Sequence, residues 1–241
     1  MTVDTTLLFD AIDGTWPPAR HWRVGQAVLR DGQGGGKRVS AATLDDAATL
    51  DAIDEAEGEM QRLDQPLLFR LRADQGRLDA LLAGRGYAIV DPTVVLTAPI
   101  KSLTDVAIPP VTAFSIWEPL ALMKEIWAQG GIGPSRLAVM QRATTKTAIL
   151  ARWNEKPAGV GFAAMHGTVC MVHAVEVLPH QRRQGVAGWI MRKAAFWSAA
   201  HGAKTISVLC TRSNGAALNL YQGLGFGEVA GYHYRQSEES R

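Results

Sequence analysis

PHQRRQGVAG, residues 179–188, is the stretch that decides the fold. It follows a β-branched apolar run, TVCMVHAVEV (168–177), and it opens a long amphipathic run, GVAGWIMRKAAFWSAAHG (185–202). A buried strand therefore runs straight into a helix. The first turn of a helix leaves four backbone N–H groups unpaired, and the macrodipole adds roughly half a positive charge there. Gly185 and the small Ala187 let a ligand approach the backbone, and Arg182 and Arg183 add charge beside those donors. A pyrophosphate fits such a site. On composition alone, a helix start with two solvated arginines describes the stretch equally well.

The bulk numbers set the frame. The 241 residues suit one large domain or two small ones. With 47% apolar and 20% charged residues, the chain buries a sizeable core without disulfides or metals. A net charge of +2 does not indicate a general nucleic-acid binder, although a local basic patch stays open. Cys170 and Cys210 read as free thiols in a reducing compartment. The start, MTVDTTLLFDAID, carries three Asp and no basic leader region, and no apolar run approaches the ~20 residues of a membrane helix. The expectation is a cytoplasmic protein with no membrane or nucleic-acid partner.

The chain divides at KSLTDVAIPP (101–110), a linker with a proline pair. In the first unit, 1–104, WRVGQAVLRDG and KRVSAATL read as two strands. DAATLDAIDEAEGEMQRLD reads as a helix capped by Asp45 or Asp46. PLLFRLR is strand-like, GRLDALLAGRG a short helix and YAIVDPTVVLTAP a strand. The second unit, 111–241, reads strand, two helices, three strands, helix, strand, helix, strand, with Pro134 near the start of its second helix and Asn214 capping its last. The crossover from TVCMVHAVEV to TISVLCT implies neighbouring parallel strands, so the sheet is mixed and the fold class is α/β, or α+β, with helices flanking a central sheet.

Three glycine-rich stretches are decoys. GQGGGKRV (32–39) lacks the Ser or Thr after Lys37 that a phosphate loop needs, and it reads as a flexible hairpin. GVGFAA (159–164) and GFGEVA (225–230) lead into strands, whereas a dinucleotide fingerprint opens a helix.

The residues around the opening stretch resemble the GNAT acetyltransferase superfamily. That family's signature is Arg or Gln, two residues, Gly, one residue, then Gly or Ala. It stands here as Arg182-Arg183-Gln184-Gly185-Val186-Ala187. The strand exit appears as Val177-Leu178-Pro179. The second motif appears as Asn214, Ala217, Tyr221 and Leu224-Gly225-Phe226. The resemblance covers roughly 111–235. It implies a GNAT-like mixed sheet that binds acetyl-CoA between two parting strands. Val175, Glu176 and Val177 would face the pantetheine arm. Arg182, Arg183, Gln184, Gly185, Val186, Ala187 and Gly188 would hold the pyrophosphate, with Asn214, Ala217 and Tyr221 completing the site.

The reaction implied is direct transfer of acetyl to an amine. The amine must first lose a proton, which calls for a base, and the departing thiolate benefits from an acid. A backbone N–H such as that of Val175 would serve the oxyanion. Tyr221, two helical turns beyond Asn214, is the candidate acid. His173 is a candidate base, in phase with Val175 and Val177, with a satisfied core histidine as the bland alternative. Glu176 is the other candidate; it points away from His173 in a regular strand, and a bulge would change that. Some family members that modify protein N-termini carry a glutamate where this chain has Leu209, which weakens that assignment. Cys210 is not read as a nucleophile. The loop QGGIGPSR (129–136) is expected to line the acceptor pocket as a lid, and Trp117, Trp127 and Trp153 to be core.

Arg85-Gly86-Tyr87 and the helix-to-strand run around it echo the family's terminal element. The first unit therefore reads as a degenerate GNAT-like half without a cofactor, shaping the acceptor site or an interface; an unrelated α+β cap is the alternative. The functional expectation is an acetyl-CoA-dependent N-acetyltransferase with a small-molecule or peptide amine as acceptor and no metal. A non-catalytic acyl-CoA sensor and transfer of a larger acyl group are the alternatives, and a homodimer is left open.

Overall fold

The structure, a computed structural model, describes residues 4–237. Residues 1–3 and 238–241, the outer ends of the two expected units, lie outside the described residues. Helix α1 (Thr5–Thr15), which the sequence reading did not assign, opens the chain. The Asp4 carboxylate accepts from Thr6 N at 2.9 Å and caps it, and Leu8, Phe9, Ala11 and Ile12 are buried beneath it.

WRVGQAVLRDG is a hairpin rather than one strand. Strands β1 (Arg20–Val24) and β2 (Ala27–Asp31) pair antiparallel across a turn in which Gly25 takes a φ of 51°. KRVSAATL is not a continuous strand either. Lys37–Ser40 make one helical turn, α2, closed by Ala41 N donating to Lys37 O at 2.9 Å. Only the following residues are extended, bridging Val28 on one side (through Thr43) and Phe69 on the other (through Ala42). Helix α3 (Leu50–Arg62) is capped by Thr49, whose hydroxyl accepts from Ala52 N, and not by Asp45 or Asp46. Asp46 instead accepts from Leu78 N in the first turn of α4 (Gly76–Gly84). Strands β3 (Leu68–Arg72) and β4 (Tyr87–Pro99) complete the first half.

The second half follows the expected order. It runs β5 (Ala113–Ile116), α5 (Ala121–Gln129), α6 (Pro134–Arg142), β6 (Thr145–Trp153), β7 (Lys156–His166), β8 (Val169–Val177), α7 (Val186–Ala200), β9 (Thr205–Thr211), α8 (Gly215–Gly223) and β10 (Gly227–Ser237). Helix α7 packs one face of the sheet, with Val186, Ile190 and Ala194 against Ile149, Ala163 and Val172. Helices α5 and α6 cover the other, with Trp127 and Met140 against Ala148, Val160 and Phe162.

One eight-stranded sheet spans both halves in the order β3-β10-β4-β9-β8-β7-β6-β5. Only β8 and β9 run parallel; every other pair in it is antiparallel. The first half repeats the second in abbreviated form. Both run hairpin, extended segment, helix, strand, helix, strand. In both, the extended segment pairs antiparallel with the hairpin and parallel with the next strand. The two final strands are exchanged. β10 lies between β3 and β4, and β4 lies between β10 and β9, so each half completes the other's sheet.

Candidate functional site

The sheet opens beside β8. The parallel pairing of β8 with β9 covers only Val169–Val172 against Thr205–Val208. Beyond Val172 the strands part, while β8 stays on β7 and β9 stays on β4. The β9-facing edge of residues 173–177 therefore has no strand partner, which leaves backbone groups for a ligand.

Residues 179–188 lie at the end of this wedge. Gly185 is the N-cap of α7 with φ 76°, and Arg183 is also left-handed at 63°. No described residue accepts a hydrogen bond from the N–H groups of residues 183–188. Nothing lies within 4 Å of a Cβ added at Gly185 or Gly188, so those donors face open space. Arg182 is exposed and held by its Nε donating to Val177 O at 3.2 Å. The donor set is cationic and unpaired, and it fits a diphosphate.

A bulge reorders the strand that leads there. Phe162 pairs with His173 and Val160 with Glu176, so β8 spends three steps where β7 spends two. Ala174 carries the distortion with φ 52°, and Trp127 Nε1 donates to its carbonyl at 2.8 Å. The indole that reads as plain core is thus also a clamp. As a result His173 is not in phase with Val175 and Val177. Those valines pack toward α7, and His173 and Glu176 share the opposite face, toward α5. The glycines of the decoy GVGFAA serve this packing: a Cβ on Gly161 would stand 2.6 Å from Ile190 Cγ2.

His173 is fully engaged. Thr15 donates its hydroxyl proton to Ala11 O, so its oxygen accepts from His173 Nε2 at 2.9 Å. Arg38 Nη1 then donates to Nδ1 at 3.0 Å. Burial, with Arg38 adding to it, holds the imidazole well below its ordinary value of 6.5 and keeps it neutral. Glu176 is half-buried against Gly130 and accepts no hydrogen bond from a described residue. Burial raises its carboxyl above the ordinary 4.5, opposed at longer range by Arg182 and Arg136. Tyr221 is buried beside Cys210 and Phe226, and burial raises its phenol above the ordinary 10.0. Asn214 caps α8, accepting from Ala217 N at 3.1 Å. Cys210 is buried and its thiol is also raised by burial.

A cavity of about 320 Å³ lies on the His173 face of the wedge. His173, Ala174, Leu209, Tyr232 and Tyr234 line it from the second half, with Ile132 from the loop before α6 and Arg136 from the first turn of α6 itself. Trp16, Lys37, Arg38 and Asp91 line it from the first half. The 32–39 stretch is not the expected flexible hairpin but a packed loop entering α2. A Cβ at Gly35 would meet Val139 and Val39, so the loop is packed against α6 and carries Arg38 into the cavity. Nothing local in the sequence marks these first-half residues as site residues.

Residues 117–226 match the model of the acetyltransferase (GNAT) family. The chain carries a GNAT domain. Solved structures extend the likeness in fold to both halves. A GCN5-related N-acetyltransferase from Kribbella flavida superposes with a TM-score of 0.74 at 21% identity, covering 96% of this chain and 94% of that one. A GCN5-related N-acetyltransferase from Sphaerobacter thermophilus gives 0.61 at 13% identity over 91% and 83%. A tandem GNAT protein from the clavulanic acid biosynthesis pathway gives 0.60 at 13% identity over 94% and 86%. These identities establish the shared fold, mixed sheet and flanking helices alike. No curated protein matches the chain. Among the described residues there is no helix long and apolar enough to cross a membrane and no His, Cys, Asp and Glu group suited to a metal.

Proposed function

We propose that the chain is an acetyl-CoA-dependent N-acetyltransferase that acts by direct attack of a small primary amine, in the cytoplasm. The observation that carries this reading is the row of unpaired N–H groups at 183–188, opening on the wedge where β8 and β9 part. Residues 182–188 would hold the diphosphate, and the unpartnered edge of 173–177 would take the amide-bearing arm. Bound there, the coenzyme supplies a thioester-activated acetyl group.

The protein's own groups divide the remaining work. His173 has both ring nitrogens engaged and offers no lone pair for a substrate proton. Its role is to hold Arg38. Glu176 is the base: its carboxylate is poised by burial and unoccupied by hydrogen bonds. Tyr221 keeps its proton because burial disfavours the phenolate, and its hydroxyl is the acid for the leaving group. The first half has no second cofactor site to offer. The stretch before α3, Leu44-Asp45-Asp46-Ala47-Ala48-Thr49, has neither the arginines nor the glycine of the Arg182–Ala187 motif. The first half instead walls the acceptor cavity.

The test is release of free thiol from acetyl-CoA in the presence of an amine panel, with calorimetry of coenzyme A binding. Thiol release that depends on an amine supports the enzyme. Tight binding with no release from any amine makes the chain a sensor, and no binding at millimolar concentration removes both readings.

A further inference from the structure

Resting on the transferase reading, we infer that the acceptor amine also carries an anionic group, and that Arg38 is its receptor. The charge balance of the described residues points there. The three buried arginines are each matched by a carboxylate, whereas the half-buried Arg38, in the cavity wall, is not. Arg30 and Arg70 share Asp13 at 2.7 and 2.8 Å, and Arg235 pairs with Asp79 at 2.8 Å. Arg38 has no carboxylate within 4 Å. One nitrogen is spent on the neutral His173, and its Nε is buried without a partner. The guanidinium sits 5.5 Å from the Trp16 ring centroid, partly desolvated. A guanidinium does not deprotonate, so this charge stands uncompensated in a cavity wall.

The neighbouring charges do not cancel it. Lys37 is already matched to Asp91 at 2.9 Å. Arg136 adds a second cation from α6, offset at longer range by Glu176. A carboxylate or phosphonate on the acceptor would supply the missing partner, and Arg favours such planar or multi-oxygen anions. The same cationic surround disfavours the ammonium form of a bound amine and so assists its deprotonation. At about 320 Å³ the cavity suits a compound of metabolite size.

The experiment compares matched acceptors: amino acids, their carboxamides, alkylamines of equal length and aminoalkyl phosphonates. With wild type, kcat/KM for the anionic members is expected to exceed that for the neutral ones by on the order of 100-fold. In Arg38→Gln that preference collapses through KM, with coenzyme A affinity by calorimetry unchanged. Arg136→Ala, at an exposed position, lowers the preference less. Phosphonates outdoing carboxylates, or the reverse, identifies the anion and supports the receptor either way. Calorimetry of N-acetyl amino acids adds a readout without turnover: binding that Arg38→Gln removes supports the site even in a protein that transfers nothing. Equal or better turnover of neutral amines by wild type overturns the inference while leaving the transferase intact. A folded Arg38→Gln that keeps the anionic preference also overturns it. If Arg38→Gln does not fold, the wild-type comparison decides alone. Loss of coenzyme A binding in wild type would instead remove the reading beneath it.

Discussion

The indole Nε1 of Trp127 donates at 2.8 Å to the carbonyl oxygen of Ala174, a residue held at a φ of 52°. This single bond ties α5 to the bulge that turns Glu176 onto the face of His173. Trp127→Phe keeps most of the buried ring and deletes the donor. The carbonyl then loses a buried partner, a loss of about 1–3 kcal/mol. Thermal melting is expected to show that loss, and kcat/KM is expected to fall by roughly tenfold as Glu176 shifts.

Glu176 as base has a pH signature. Burial raises its carboxyl above 4.5, and Arg182 and Arg136 only partly oppose this. A base works only when deprotonated, so activity falls as pH drops through the raised value. The acid limb of the kcat/KM profile is expected above the ordinary carboxylate range, and Glu176→Gln should remove it with a loss of about 100-fold in rate. A limb unchanged in the variant would assign it elsewhere.

Gly185 separates stability from binding. At φ 76° a β-branched side chain is strained by about 1–3 kcal/mol, yet its Cβ would meet no atom of the rest of the protein within 4 Å. Gly185→Val is therefore expected to fold. Its side chain stands among the unpaired N–H groups, and calorimetry should show coenzyme A affinity weakened by tenfold or more, an estimate for losing one or two charge-assisted bonds.

Asp13 is the keystone of the first half. Burial pushes its carboxyl up, but Arg70 and Arg30 outweigh this and hold it at about 2, against an ordinary 3.8. The folded value lies below the unfolded one. The stabilisation is therefore complete above pH 3.8 and lost as pH falls from there through about 2. Acid titration of the melting temperature should show that window. Asp13→Asn leaves Arg30 and Arg70 buried with no anion, and a destabilisation of about 3–5 kcal/mol is expected from denaturant melts.

The exchanged strands predict that the halves fail apart. Residues 1–104 alone lose β10 from between β3 and β4, and residues 111–241 alone lose β4 from beside β9. Each fragment exposes an apolar edge strand. Circular dichroism should show both fragments unfolded or aggregated, and co-expression should restore a folded complex. A well-folded isolated fragment would contradict this.

Much of the second half is legible from residue order because its determinants are contiguous. A β-branched run, a proline exit, Arg182 to Gly185 and an amphipathic helix specify a strand, a turn with a left-handed glycine and α7 within about thirty residues. The first half is harder. Its hairpin turns on Gly25 inside a run that looks like one strand, and one helical turn at Lys37–Ser40 is hidden in a β-branched pattern. Helix α1 is hidden because its cap, Asp4, is indistinguishable by residue type from the other nearby aspartates, Asp10 and Asp13.

The amino-acid order thus determined the row of unpaired N–H groups at the start of α7, since backbone donors at a helix start depend only on neighbouring residues. The tertiary structure decided the bulge and the cavity beside His173. One extra residue in β8 has no local mark; it is set by register against β7 and by Trp127 from another helix. The cavity joins Trp16, Arg38, Asp91, Ile132, His173 and Tyr234, which share no local sequence pattern. Only the exchange of β4 and β10 between the halves brings them to one place.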